Sequence, residues 1–266
     1  MKVGFIGAGN MASAMIGGIL NSKLLSPSNI IASAKTDKTL DSIKEKYEIN
    51  TTKDSVSLVK ECDIVVVAVK PYVYEEVLNE IKYYIGNEKI IVTIAAGVTI
   101  KSVEDIIGND KKIIRTMPNT PALVNCGMSS LSPNKNICEQ DINAVKTIFD
   151  SFGKSQIVEE SLIDVVIGAS GSSPAYAFMF IEAMADCAVS YGMKREMAYE
   201  FCAQSLMGAA KMVLETKKHP GELKDMVCSP GGTTIEAVKT LENEGMRSAV
   251  IKGMTACIEK SIKMSK

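Results

Sequence analysis

Up to about residue 155 the chain alternates two apolar rhythms. Short runs rich in β-branched residues fall at residues 2–6, 29–32, 64–69, 90–93 and 112–116, with weaker ones at 128–131 and 156–158. Segments of helical periodicity separate them. Continuous apolar runs predict strands buried on both faces, as in a doubly wound parallel sheet of βαβ units. Past about residue 160 the β-rich runs stop, and stretches rich in Ala, Met and Leu predict helices over residues 174–191, 194–217, 221–227, 232–244 and 245–264. The composition changes at Glu159-Glu160-Ser161, which sets the expected boundary between residues 1–158 and 159–266. The helical stretches are apolar around much of their circumference, more than one helix layer buries, so a second copy is expected to cover them. The fold class expected is therefore α/β, with an N-terminal parallel sheet and an all-helical C-terminal dimerisation domain.

Composition narrows the partners. At 266 residues the chain can bury about 70–75% of its unfolded surface without disulfides or a structural metal. Hydrophobic residues make up 46%, charged residues 23%, and the net charge is −1, which offers no footprint for nucleic acid. Seven cysteines without a CxxC pair read as reduced thiols in a cytoplasmic protein. Residues 1–6 read directly as the first strand, so no cleavable apolar leader is expected. The longest apolar candidate, residues 175–191, is interrupted by Glu182 and Asp186, so no membrane span is expected.

Gly7-Ala8-Gly9-Asn10-Met11-Ala12 follows an apolar strand and opens a helix. That context makes the GxGxxG/A pattern a dinucleotide fingerprint and the first half a Rossmann domain. Gly7 permits the tight turn, Gly9 lets backbone amides approach a pyrophosphate, and the helix N-terminus offers unpaired N–H groups to it. At the end of the second strand an acid would hold a ribose hydroxyl and select NAD. Here the chain reads Ala32-Ser33-Ala34-Lys35-Thr36, small residues and a cation suited to the extra phosphate of NADP. Asp37 lies close by, so NADPH is preferred and NADH kept as the alternative. Two more strand ends, Ala68-Val69-Lys70-Pro71 and Ala95-Ala96-Gly97, should line the same crevice.

Two glycine-rich segments interrupt the helical half: Gly168-Ala169-Ser170-Gly171-Ser172-Ser173-Pro174 and Val227-Cys228-Ser229-Pro230-Gly231-Gly232-Thr233-Thr234. Each precedes a predicted helix, so each is expected to present hydroxyls and free N–H groups to a small carboxylate, simple capping being the alternative. His219, the sole histidine, precedes Pro220 and reads as part of a turn. Glu182 and Asp186 lack a His or Cys at metal-ligand spacing, and no metal is expected.

These segments, together with Ala95-Ala96-Gly97-Val98-Thr99-Ile100, Met117-Pro118-Asn119-Thr120-Pro121 and Pro174-Ala175-Tyr176-Ala177-Phe178, resemble pyrroline-5-carboxylate reductase over nearly the whole chain. The resemblance implies NADPH-dependent reduction of pyrroline-5-carboxylate to L-proline by a homodimer, with a decamer as the larger assembly. It places Gly7 to Met11, Ala34, Ser55 and Ala68 to Pro71 on the cofactor, and Ile6, Ser33, Lys35, Ala95 to Gly97 and Asn119 are expected beside them. It places Glu160, Gly232, Thr233 and Thr234 on the substrate, with the Thr234 hydroxyl at the ring nitrogen, and Ser172 is expected to line the same pocket. Ala34 stands where relatives often have serine and Ser55 where many have asparagine. Ser173, Thr116 and Cys228 depart from the pattern locally.

Two other readings compete. A hydroxyacid dehydrogenase of the 6-phosphogluconate type needs a lysine on the helix after the first glycine-rich segment, and none occurs before Lys194. A nucleotide-binding redox sensor has no use for the hydroxyls gathered at Gly231 to Thr234.

Overall fold

The computed structural model describes residues 1–264. Eight strands, β1 (Val3–Ile6), β2 (Ile30–Ser33), β3 (Asn50–Thr52), β4 (Ile64–Val67), β5 (Ile90–Thr93), β6 (Lys112–Met117), β7 (Gly127–Pro133) and β8 (Gly153–Ile157), form one sheet. Their order is β3-β2-β1-β4-β5-β6-β7-β8. Helices α1 (Asn10–Asn21), α2 (Asp37–Tyr47), α3 (Ser55–Glu61), α4 (Tyr74–Ile81), α5 (Ile100–Ile107) and α6 (Glu139–Asp150) connect them. After β8 come α7 (Ile163–Val166), α8 (Ser173–Ser190), α9 (Arg195–Thr216), α10 (Pro220–Val227), α11 (Thr233–Asn243) and α12 (Met246–Met264).

The strand alternation splits the sheet core into two layers. Val3, Phe5 and Val66 join Met15, Ile19 and Phe149 on one face. Ile6, Val65 and Val67 join Leu78, Ile81 and Ile91 on the other. Both faces of β1 and β4 are covered, which is why these strands read as unbroken apolar runs rather than alternating ones. All pairings are parallel except β6 with β7, where Met117 lies opposite Ser130 and Ile114 opposite Pro133. The all-parallel expectation fails there because residues 118–126 are too few for a crossover, which needs about a dozen.

Packing divides the chain into two compact units, Met1–Ser172 with the described residues from Cys257 onward, and Ser173–Ala256. The division lies beyond the composition change at residue 159. Ile163 and Ile167 pack with Met117, Ala96, Val158 and Cys257 inside the first unit. The second unit is helical throughout, and Phe178, Met179, Phe201, Met207 and Ile251 are exposed in this single chain.

The first glycine-rich segment is not a loop. Ile167–Gly171 forms a π turn, closed by the Ser172 N–H donating to the Ile167 carbonyl at 2.8 Å. Helical structure therefore continues back from α8, and the free N–H groups expected before Pro174 are already used. The resulting helix, Glu160–Ser190, reaches a mean hydropathy of 1.2 in its most apolar window. By length and composition it could cross a bilayer, contrary to expectation, because apolar Val165, Val166 and Ile167 lie on the same helix ahead of the apolar stretch at residues 175–191. A helix packed against a second copy has the same composition.

Candidate functional site

The carboxyl ends of β1, β2, β4 and β5 open onto a cleft of about 1240 Å³. Gly7 leaves β1 at φ +98, and a Cβ there would lie 2.7 Å from the Ala68 carbonyl oxygen. Only glycine allows the β1–α1 turn to lie this close to the end of β4. The turn is fixed by the Gly7 N–H donating to the Ser33 carbonyl at 2.8 Å and the Ala68 N–H to that of Ile6 at 2.7 Å. Gly9 is the N-cap of α1 and no side chain caps the first turn, so its N–H groups lack an intrahelical acceptor. A Cβ on Gly9 would meet nothing within 4 Å. Open space, unpaired donors and a positive helix end together fit a diphosphate.

At one end of the cleft lie Ser33, Ala34, Lys35, Lys53 and Ser55. Ser33 and Ser55 are buried, their hydroxyl oxygens 3.4 Å apart. Lys35 Nζ donates to Glu76 Oε1 at 2.9 Å, and this hydrogen bond, above all, raises the lysine pKa from its ordinary value. Asp37, the acid that clouded the choice of nucleotide, begins α2 and pairs with Lys53 at 2.8 Å. The strand end itself carries no carboxylate, which favours NADP over NAD.

At the other end Ala68 to Pro71, Ile94, Ala95 and Pro118 form the walls. The gap between β4 and β5 is held by Tyr74, whose hydroxyl donates to the Val67 carbonyl and accepts the Ile94 N–H at 3.2 Å. Burial pushes its phenol pKa well up, so it acts as a neutral donor and acceptor. Tyr74→Phe strands both backbone groups beside the cleft and is expected to cost about 1–3 kcal/mol of stability. A urea titration reads this directly, and an unchanged midpoint would show that water replaces the hydroxyl without loss.

Four expected cofactor residues lie off the cleft wall. Ala8 packs onto the core beneath α1, and Ala96 onto Met117, Ile163 and Ile167. Gly97, at φ +79, abuts the Met264 carbonyl, 3.0 Å from where its Cβ would be. Asn119 is buried and fully engaged: its amide donates to the Ser170 carbonyl at 3.1 Å and hydroxyl at 3.2 Å, and its oxygen accepts the Met128 N–H at 2.9 Å. Pro174 has no N–H for the Ser170 carbonyl four residues back, so Asn119 supplies the donor that the helix cannot.

Glu160 lines a separate cleft of about 690 Å³. One of its carboxylate oxygens accepts both the Ile100 N–H at 2.8 Å and the Arg115 guanidinium at 2.9 Å. This ties the first turn of α5 to β6, where the Arg115 side chain is only 4% exposed. Ser172 receives the Cys257 thiol at 3.2 Å.

In the helical unit Gly231, at φ +67, turns the chain into α11. Gly232 is the N-cap, again without a side-chain cap, and Thr233 and Thr234 form the first turn. Only this second glycine-rich segment keeps the open helix end expected of both. His219 caps α10, its Nδ1 accepting the Gly221 N–H at 3.1 Å, which is the structural role its sequence context suggested. Asp186 pairs with Arg195 at 2.6 Å.

Residues 2–97 match the family described as NADP oxidoreductase, coenzyme F420-dependent. Residues 160–264 match that described as pyrroline-5-carboxylate reductase dimerisation. Pyrroline-5-carboxylate reductase of Escherichia coli is 50% identical over 265 residues, covering 100% of this chain and 98% of the relative. The chain belongs to the pyrroline-5-carboxylate reductase family. The solved pyrroline-5-carboxylate reductase of Coxiella burnetii superposes with a TM-score of 0.93 at 34% identity, over 100% of this chain and 98% of that one. The pyrroline carboxylate reductase of Plasmodium falciparum, solved with NADP bound, gives 0.90 at 34% identity with the same coverage.

Within this pyrroline-5-carboxylate reductase fold, sequence reading missed Tyr74, Lys53 and Glu80 on or beside the cleft. No motif marks them. Lys53 could have been found only by pairing β3 with β2, and β3 is a short polar strand, Asn50–Thr52, without an apolar pattern.

Proposed function

We propose that this chain reduces 1-pyrroline-5-carboxylate to L-proline with NADPH, the last step of proline biosynthesis. The reading is carried by the open diphosphate seat at Gly7 to Met11, in a chain related over its full length to enzymes of that name. Residues 1–158 serve as the NADP-binding domain and residues 159–266 as the substrate-binding and dimerisation domain.

NADPH, when bound, would supply a hydride to the imine carbon; with the ring nitrogen already protonated as the iminium, the carbon–nitrogen double bond becomes single and the nitrogen keeps that proton as the amine. The protein's task is positioning, since two correctly oriented rings need little further chemistry. The cofactor is held by the first-turn N–H groups of α1, by Ser33 to Lys35 and Ser55, and by Ala68 to Pro71 and Ala95; Ala96, Gly97 and Asn119 shape the wall from behind. The Thr234 hydroxyl hydrogen-bonds the ring nitrogen and N–H groups at Gly232 and Thr233 take the carboxylate. Ser172 lines the pocket, and Glu160 contributes through the loop it anchors at Ile100.

Exposed apolar residues of α8, α9 and α12, such as Phe178, Phe201 and Ile251, are covered by a second copy in a cytoplasmic homodimer, with a decamer as the larger assembly. Analytical ultracentrifugation distinguishes dimer from decamer.

The deciding assay supplies purified protein with pyrroline-5-carboxylate and follows nucleotide oxidation together with L-proline formed. NADPH is expected to be oxidised in equal amount to proline and at lower KM than NADH. Nucleotide consumption without proline would overturn the assignment.

A further inference from the structure

Lys35 and Lys53 follow the carboxyl ends of two adjacent strands and line the same cleft. β2 and β3 run parallel, with Ser33 opposite Thr52 as their last registered pair, and the Ala34 N–H reaches the Thr52 carbonyl at 3.4 Å. Neighbouring strands lie about 4.8 Å apart, so the residues just past this pair, Ala34 and Lys35 on one strand and Lys53 on the other, flank a single point of the cleft. Beneath them lie the buried hydroxyls of Ser33 and Ser55.

Each ammonium is held from outside that point. Glu76 of α4 takes Lys35 at 2.9 Å and Asp37 of α2 takes Lys53 at 2.8 Å, with all four side chains at least 56% exposed. Pairs this exposed contribute about 0–1 kcal/mol and exchange readily. A phosphate monoester carries about −1.5 to −2 charges and three acceptor oxygens, and outcompetes a lone carboxylate for both lysines. Ala34 has no side-chain donor, so the positive charge must come from its flanks. Glu80 lines the same cleft and Glu76 stands beside Lys35, so without the lysines this end would repel a dianion.

The geometry points to Lys53 as a specificity-determining residue that, with Lys35, clamps the 2′-phosphate of NADP over the Ser33–Ser55 floor. This rests on the reading of the cleft as an NADP site. On binding, Glu76 and Asp37 give up their lysines to the phosphate.

Calorimetric titration of the intact protein with adenosine 2′,5′-bisphosphate and with 5′-AMP tests it without catalysis. The bisphosphate is expected to bind more tightly than AMP. Lys53→Met should weaken the bisphosphate about tenfold and lessen the salt dependence of its binding, while AMP keeps its affinity. Lys53→Arg should restore most of the difference. Because Lys53 is exposed, its melting temperature should stay within a degree or two, separating the effect from misfolding. Equal bisphosphate affinity in Lys53→Met and the parent, or equal weakening of both nucleotides, overturns the clamp alone. Failure of the parent to bind either nucleotide overturns the clamp together with the reading of the cleft.

Discussion

Thr234→Ala is expected to lower kcat by about 10²- to 10³-fold while leaving the melting temperature nearly unchanged. A positioned hydrogen-bond partner contributes on this scale when the charge on the reacting atom changes. The stability half of the prediction follows from the local structure. The N-cap of α11 is Gly232 and no side chain caps the first turn, so the Thr234 hydroxyl removes no cap when it is lost. Alanine also suits a helix better than threonine, and Thr234 is only half-buried, so no cavity of consequence is left. Thr234→Ser, which keeps the hydroxyl, should recover most of the rate. Steady-state kinetics beside thermal unfolding separates the two effects. A kcat equal to the parent's would take Thr234 out of the reaction, and the ring nitrogen would then need another partner.

What could be read in advance followed burial. Strands covered on both faces, such as Val3–Ile6 and Ile64–Val67, carry four apolar residues in succession and show plainly. β3 is an edge strand of Asn and Thr, defined by its ladder with β2 rather than by its own composition. Losing β3 also lost Lys53, since nothing else in the chain places that lysine next to Lys35. The glycine fingerprint was legible because a strand, a turn and a helix must each be right for it to work. The first glycine-rich segment misled for the opposite reason. Its glycines and serines look like a loop before Pro174, whereas the backbone stays helical through a π turn just ahead of the proline and Asn119, more than fifty positions back, supplies the missing donor. Tyr74 is illegible in the same sense: its importance lies in the distance between the ends of β4 and β5, which exists only once the sheet has formed.

Gly7 and Gly9, two residues apart, should fail in different ways. Gly7→Ala is expected to cost about 2–4 kcal/mol and to abolish NADPH binding. A Cβ at residue 7 would sit 2.7 Å from the Ala68 oxygen and 2.8 Å from its carbonyl carbon, and backbone cannot yield as a side-chain tip can. The φ of +98 adds strain for any residue with a Cβ, of order 1–3 kcal/mol. Relief requires the β1–α1 turn to lift from β4, which breaks the Gly7 to Ser33 hydrogen bond and moves every first-turn N–H of α1. Gly9→Ala provides the contrast. Its backbone, at φ −80, suits alanine, and its Cβ meets no protein atom within 4 Å, so stability should hold. The methyl group instead fills the space assigned to the diphosphate, and NADPH affinity should fall by at least about tenfold through steric exclusion alone. Urea unfolding and fluorescence titration with NADPH distinguish the pair. If Gly9→Ala bound NADPH as tightly as the parent, the diphosphate would have to lie elsewhere, and the open first turn of α1 would lose its role.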